Sequence, residues 1–171
     1  MKDKTLSYIY KRLHKNPNNC YELARKFMRS AELLLQEKNT LDTTLITYSK
    51  RESSYEQNII NVDSTFNTSN TPINFENIVK FMKEYIKEHE VVSYVLVCEI
   101  LDSGPNKITS HISEDVNLLL IKSEDVSNAI VLLRRIFKDN NEKVVRLGET
   151  EVQINPGNRF LSQKDLPESI H

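Results

Sequence analysis

This 171-residue sequence has few glycines, and their positions exclude one class of function. Its three glycines, Gly104, Gly148 and Gly157, lie far apart in the chain. A phosphate-binding loop or a dinucleotide-binding turn needs several glycines close together, so that the backbone can approach a phosphate. The usual nucleotide-binding motifs are therefore absent. No GxSxG or HExxH run is present either, which removes the nucleophile elbow and the zinc-protease helix.

Long apolar runs are also missing. The longest, VVSYVLV and AIVLL, are well short of the roughly 20 residues that a membrane helix needs. The N-terminal stretch MKDKTLSYIYKRLHKNPNN lacks the apolar centre of a secretory signal. We therefore expect a soluble, cytoplasmic protein with no membrane contact. In that compartment Cys20 and Cys98 are expected to stay reduced and to pack as small buried hydrophobic residues.

The overall composition is that of a globular protein, with 39% hydrophobic and 27% charged residues. A chain of this length can bury a core within one domain without disulfides or metals. The predicted organisation has three parts. Residues 1–16 form a short basic N-terminal helix, residues 17–161 a single α+β domain, and residues 162–171 a C-terminal tail.

Amphipathic spacing predicts the helices. Residues 5–13 carry apolar side chains at helical spacing before NPNN ends the segment. A second helix is predicted after Asn19, where Glu22 follows three residues later as in a capping box, and it continues to about Lys38. A third apolar stripe predicts a helix over residues 75–89.

Alternating and β-branched segments predict the strands. LDTTLITYS and EQNIINV flank a polar turn and suggest a hairpin, while VVSYVLVCEI is apolar on both faces, as in a central strand. DVNLLLIKS and VVRLGETEVQI predict two more strands. Residues 126–137 fit either a helix or a strand, and the following turn KDNNEK favours the strand. Residues 63–74 have no periodicity and are interpreted as a mobile surface connection. The result is an α+β domain with a mainly antiparallel sheet of five to six strands and two to three helices packed on it.

The order of these elements, with a strand YVLVCEI after an amphipathic helix, resembles a family of small bacterial and phage-associated proteins of unknown function. In that family a strand similar to YVLVCE ends in a glutamate followed by Ala-Trp. Here Ile100 and Leu101 follow, and the chain has no tryptophan. The resemblance covers about residues 20–161, and it implies a fold without implying a function.

Glu99 interrupts the apolar segment VVSYVLVCEI and allows three interpretations. It can lie in water at the strand end. It can be buried and paired with a cation on a neighbouring strand, because a buried carboxylate is costly unless it is paired. It can also be a catalytic general acid or base with a raised pKa, assisted by His111 or Asp115. The candidate cations are Lys122, Arg134 and Arg135.

Other catalytic and metal sites have weak support in the sequence. The four histidines are scattered, and the one combination that folding could assemble into a metal site is His111, Glu114 and Asp115. A solvated loop is the alternative, and we expect neither a metal nor a cofactor. A nucleophilic Cys98 would need a base from elsewhere. A nuclease of the Glu-x-Lys type would need a lysine where Leu101 stands.

Positive charge is concentrated near the N-terminus. Residues 1–30 have a net charge of +6, whereas the whole chain has a net charge of −1. Such a patch can bind phosphates by releasing counterions, and the candidate binding residues are Lys11, Arg12, Arg25 and Arg29. The alternative is that two helices turn their polar faces to water.

The preferred interpretation is a non-catalytic α+β protein that binds a protein partner or forms a homodimer. A sheet that is apolar on both faces needs cover on both, and three helices on six strands can leave one face or edge for a second subunit. The alternatives are a nucleic-acid-binding accessory protein that uses the basic patch, and an enzyme that uses Glu99.

Overall fold

The computed structural model describes residues 19–65, 75–105, 107–109, 111–157 and 159–161. The helices in this part of the chain are α1 (Cys20–Lys38), α2 (Val62–Thr65) and α3 (Phe75–Glu88). The strands are β1 (Thr44–Arg51), β2 (Ser54–Asn61), β3 (Val91–Asp102), β4 (Val116–Glu124), β5 (Ala129–Lys138) and β6 (Val144–Ile154). The predicted α+β class is confirmed. The predicted helix over residues 1–16 and the tail over 162–171 lie outside the described residues.

The six strands form one antiparallel sheet in the order β2-β1-β3-β4-β5-β6. The ambiguous segment is a strand, as favoured, because its side chains alternate between two cores. Ile130 and Leu132 join the core on one side of the sheet, whereas Val131 and Leu133 join the core on the other. A helix would bury one stripe and leave half of these apolar residues in water.

Helices cover both sides of the sheet. We call the side covered by α1 the α1 face and the side covered by α3 the α3 face. The central strands contribute to both cores, which satisfies the two-faced apolar pattern of β3 and β4. Both cysteines are free and buried, as expected, and burial raises the pKa of each thiol to about 12. No helix in the described ranges is long and apolar enough to cross a membrane.

Both ends of α1 are fastened by side chains. The Asn19 side chain accepts hydrogen bonds from the backbone N–H groups of Tyr21 and Glu22, as the capping pattern predicts. The backbone N–H of Cys20 donates to the carboxylate of Asp125, at the end of β4. At the other end Asn39 adopts a left-handed backbone with φ of 61°, and its side chain accepts from the backbone N–H of Val144.

The connection after β2 differs from the prediction at its start. Residues 63–65 belong to the short helix α2, because the Asp63 carboxylate accepts the backbone N–H of Thr43 at 2.7 Å and ties this turn to the beginning of β1. Burial raises the pKa of Asp63. The rest of the predicted mobile connection, residues 66–74, lies outside the described part of the chain.

Candidate functional site

Glu99 projects from β3 on the α1 face and is a paired carboxylate. Its side chain is 13% exposed and forms an ion pair with Lys138, whose side chain is 10% exposed. The second Glu99 oxygen accepts the backbone N–H of Leu41 at 3.2 Å. Glu99 thereby joins the segment after α1 to the ends of two strands.

The partner of Glu99 is not one of the three cations considered from the sequence. Lys122 and Arg135 project from the α3 face, opposite to Glu99. Arg134 is on the α1 face, but Glu32 of α1 pairs with it. Lys138 is the cation that the folded sheet supplies.

The residues proposed to assist Glu99 in catalysis lie in the connection between β3 and β4. This connection packs on the α3 face through Ile108 and Ile112. This part of the connection thus packs on the face opposite to Glu99, and among the described residues no hydrogen bond or ion pair joins Glu99 to His111 or Asp115. Glu99 is held by Lys138 and by the backbone N–H of Leu41, and its role as a general acid or base stays a hypothesis.

The same connection is also held by internal hydrogen bonds and by an ion pair to β5. The Lys107 ammonium donates to the backbone carbonyls of Ile112 and Glu114, and the Glu114 carboxylate pairs with Arg135 at 2.7 Å. Within the described residues no group of three metal-ligating side chains is close enough to hold a metal ion. The His111, Glu114 and Asp115 combination is thus not assembled as a ligand set.

Two of the four candidate residues for nucleic-acid binding are described. Arg25 and Arg29 are exposed on the outer side of α1 and, being four residues apart, lie on one stripe. Lys26 pairs with Glu22 at 2.8 Å. Tyr21 packs partly buried against the α1-face core. Lys11 and Arg12 lie outside the described residues.

The most buried acidic site was missed by the sequence analysis. Glu124, the last residue of β4, is fully buried on the α3 face. Its carboxylate accepts hydrogen bonds from four donors among the described residues. The donors are the Tyr94 hydroxyl at 2.9 Å, Arg159 Nε at 3.2 Å, and the backbone N–H groups of Phe160 at 3.0 Å and Leu161 at 2.7 Å. Every donor except Tyr94 comes from the segment after β6. Glu124 thus fastens that segment to the sheet.

The surroundings of Glu124 are apolar and contain a buried lysine. The Lys122 ammonium lies 4.2 Å from the centre of the Phe160 ring, and Phe160 also contacts the ring of Tyr94. Burial lowers the pKa of Lys122, while the charge of Glu124 opposes this change. Burial raises the pKa of Tyr94 well above its ordinary value, and the charge and hydrogen bond of Glu124 add to the shift. Because four donors occupy Glu124, this carboxylate has the geometry of a structural anchor.

The two edges of the sheet differ. β6 is an edge strand of 11 residues, and no strand in the described ranges pairs with its outer side. It exposes three apolar side chains, with exposures of 61% for Val145, 50% for Val152 and 63% for Ile154. β2, the other edge, has 8 residues and exposes one large hydrophobic side chain, Tyr55, at 45%. An ion pair between Arg51 of β1 and Glu56 of β2 links the two strands. β6 is therefore the longer and more apolar open edge.

Comparisons with protein-family models, with curated proteins and with solved structures found no match to this chain. The resemblance to the phage-associated family stays a prediction. The chemistry of the residues described above is therefore the basis for assigning a function.

Proposed function

We propose that this protein acts without catalysis, by associating with other protein molecules through the outer edge of β6. The observation that carries the proposal is the exposure of Val145, Val152 and Ile154 along an unpaired strand edge. Such an edge offers backbone N–H and C=O groups to a partner strand, and exposed apolar side chains add contact area. Proteins usually protect long edges of this kind, unless a partner covers them.

The arrangement of the acidic groups supports a binding role over an enzymatic one. Glu99 and Glu124 are both held by a cation and by backbone N–H groups. A general acid or base needs an oxygen within reach of a substrate proton. The oxygens of these two residues are instead occupied by neighbouring segments of the chain.

The experiment is sedimentation velocity over a concentration series of the full chain. We expect self-association of the wild type and weaker association of Val152→Lys and Ile154→Lys, because an edge lysine opposes strand pairing. Leu33→Lys is the matched control, since Leu33 is an apolar residue of α1 with a comparable exposure of 67%. A monomer at every concentration would contradict self-association. Equal weakening by Leu33→Lys would contradict the choice of β6.

A second candidate function is nucleic-acid binding through α1, supported by the exposed Arg25 and Arg29 on one helical stripe. Affinity for short oligonucleotides, measured by fluorescence anisotropy, would fall steeply with salt. The double variant Arg25→Gln/Arg29→Gln would weaken binding, and so would Lys11→Gln/Arg12→Gln. Lys87→Gln, on the exposed side of α3, is the control. Binding that all these variants leave unchanged would remove this candidate.

A further inference from the structure

The charges along β6 are divided between its two halves. Arg146 is in the first half, Glu149 is at the centre and Glu151 is in the second half, and all three are exposed. The exposed apolar residues also lie towards the two ends, with Val145 near the start and Val152 near the finish. A strand with this polarity is complementary to an antiparallel copy of itself, because the basic half then faces the acidic half.

A bulge in β6 sets which residues share a face. In the pairing with β5, Arg146 is opposite Phe137 and Glu151 is opposite Leu133. Phe137 and Leu133 are four residues apart on β5 and project from the same face. Arg146 and Glu151 therefore both project from the α3 face, although they are five residues apart.

Without the bulge, residues five apart would project from opposite faces. The extra residue lies between Leu147 and Thr150, where the register with β5 shifts. Gly148 lies there, and a β-carbon on it would be 3.3 Å from the Arg135 β-carbon, so the close approach of the two strands favours glycine. The bulge thus brings the one cation of β6 and one of its carboxylates to the same face.

These positions select one two-fold register. When two copies of β6 pair antiparallel about an axis between Gly148 and Glu149, Arg146 of one copy is opposite Glu151 of the other, on the same face. Two-fold symmetry repeats this pair, so the interface contains two ion pairs. The same register places Val145 opposite Val152 of the other copy.

Arg146 is positioned for this contact. Its guanidinium lies 3.7 Å from the centre of the Phe137 ring, which holds the side chain against the α3 face. Glu151 is exposed, and its carboxylate accepts a hydrogen bond from the Gln153 side-chain amide at 3.5 Å. Both residues are exposed on the edge strand, where a second copy can reach them.

We propose that the partner of β6 is a second copy of this chain, paired antiparallel with Arg146 opposite Glu151 of the other copy and forming a continuous sheet of twelve strands. This inference rests on the proposed function, because it names the partner of the same edge. The register is specific enough to be tested separately from self-association.

The test is a charge exchange across the interface, measured by sedimentation velocity at low salt. Arg146→Glu alone and Glu151→Arg alone each convert two attractive pairs into two repulsive ones, so each variant should raise the dimer dissociation constant by about tenfold or more. A mixture of the two variants restores both pairs in the mixed dimer. The mixture should therefore associate with an affinity within about threefold of the wild type.

The double variant Arg146→Glu/Glu151→Arg should also associate like the wild type. It keeps the test valid if a single variant is less stable, because its strand is again self-complementary. Lys87→Glu and Glu84→Arg make the same charge changes on exposed positions of α3 and serve as controls. Thermal unfolding of each variant checks that the fold is retained.

The outcomes separate the two proposals. A dimer that Val152→Lys weakens but the charge variants leave unchanged overturns the register and leaves the proposed function standing. A dimer that none of the β6 variants weakens overturns both the register and the choice of edge. A monomeric wild type overturns the second copy as partner, and is the result expected if residues 1–18, residues 162–171 or a different protein covers the edge.

Discussion

Glu99 and Glu124 occupy comparable places on opposite faces of the sheet. Each lies at or near the C-terminal end of a central strand, pairs with one cation, and accepts a backbone N–H from a connecting segment. They differ in burial and in the number of donors. Glu124 is fully buried with four donors, whereas Glu99 is 13% exposed with two.

The comparison shows how this fold uses carboxylates. Glu99 holds the segment that leads from α1 into β1, and Glu124 holds the segment that follows β6. Neither segment has regular secondary structure where it is held. A charged acceptor satisfies backbone N–H groups there, as neighbouring strands do within the sheet.

The largest effect is expected for Glu124→Gln. A glutamine amide cannot accept from all four donors, and the change leaves Arg159 without its carboxylate. The free energy of unfolding should fall by about 3 kcal/mol or more in urea denaturation. Glu84→Gln, exposed on α3, is the control and should change stability by less than about 0.5 kcal/mol. Equal effects of the two variants would show that Glu124 is not an anchor.

Glu99→Gln should have a smaller effect, a loss of about 1 to 2 kcal/mol. It removes the charge that pairs with Lys138 but keeps an oxygen for the Leu41 N–H. The measurement is the same urea denaturation at neutral pH. A gain in stability would instead indicate an unfavourable charge of the kind found at functional sites, and would revive the catalytic interpretation.

Replacing both members of each ion pair separates the contribution of the charges from that of the backbone N–H groups. Glu99→Met/Lys138→Met should lower the free energy of unfolding by only about 1 to 2 kcal/mol, because two apolar side chains replace a nearly buried ion pair at little cost, while the backbone N–H of Leu41 loses its acceptor. Glu124→Met/Arg159→Met should stay clearly destabilised, since the backbone N–H groups of Phe160 and Leu161 lose their acceptor. Equal losses in the two double variants would contradict the difference between the sites.

Asp102 is a third carboxylate that accepts backbone N–H groups, and among the described residues it forms no ion pair. The smallest loss of stability is expected when it is replaced. Burial alone would raise the pKa of Asp102, but hydrogen bonds from Thr109 and Ile108, with the charge of Lys107, outweigh it and lower the pKa. A lowered pKa in the folded state stabilises the protein above the ordinary value of 3.8, and this stabilisation is lost as pH falls through the lowered pKa.

Asp102→Asn should therefore cost about 1 kcal/mol at neutral pH. The difference from the wild type should shrink in acid below 3.8. Urea denaturation of the wild type and the variant, at neutral pH and at a pH below 3.8, measures this difference in the free energy of unfolding. A difference that stays constant or grows in acid would show that the Asp102 charge does not contribute.

Local pattern was sufficient for most of the fold. The helix from Asn19 to Lys38 was predicted from its cap and apolar stripe, and the helix over 75–89 ends within one residue of α3. The segment 126–137 was ambiguous because its apolar residues fit both periods. The structure resolves it as β5, since two cores take alternate side chains.

The candidate sites were predictable only in part. Glu99 was noticed because a carboxylate in an apolar strand is unusual, yet its partner Lys138 is 39 residues away. Glu124 ends the similarly apolar run LLLIKSE, but the residues that complete its site follow 35 to 37 positions later. No local pattern connects such groups.

Local sequence accounts for the types of the elements, the apolar character of both faces of the central strands and the burial of the cysteines. Periodicity and side-chain polarity act over a few neighbouring residues, so these properties are visible in a single segment. Long-range packing sets which cation each carboxylate meets, leaves β6 as an open edge, and places Arg146 and Glu151 on one face through a bulge. These depend on strand order and register, which arise from the packing of segments far apart in the chain.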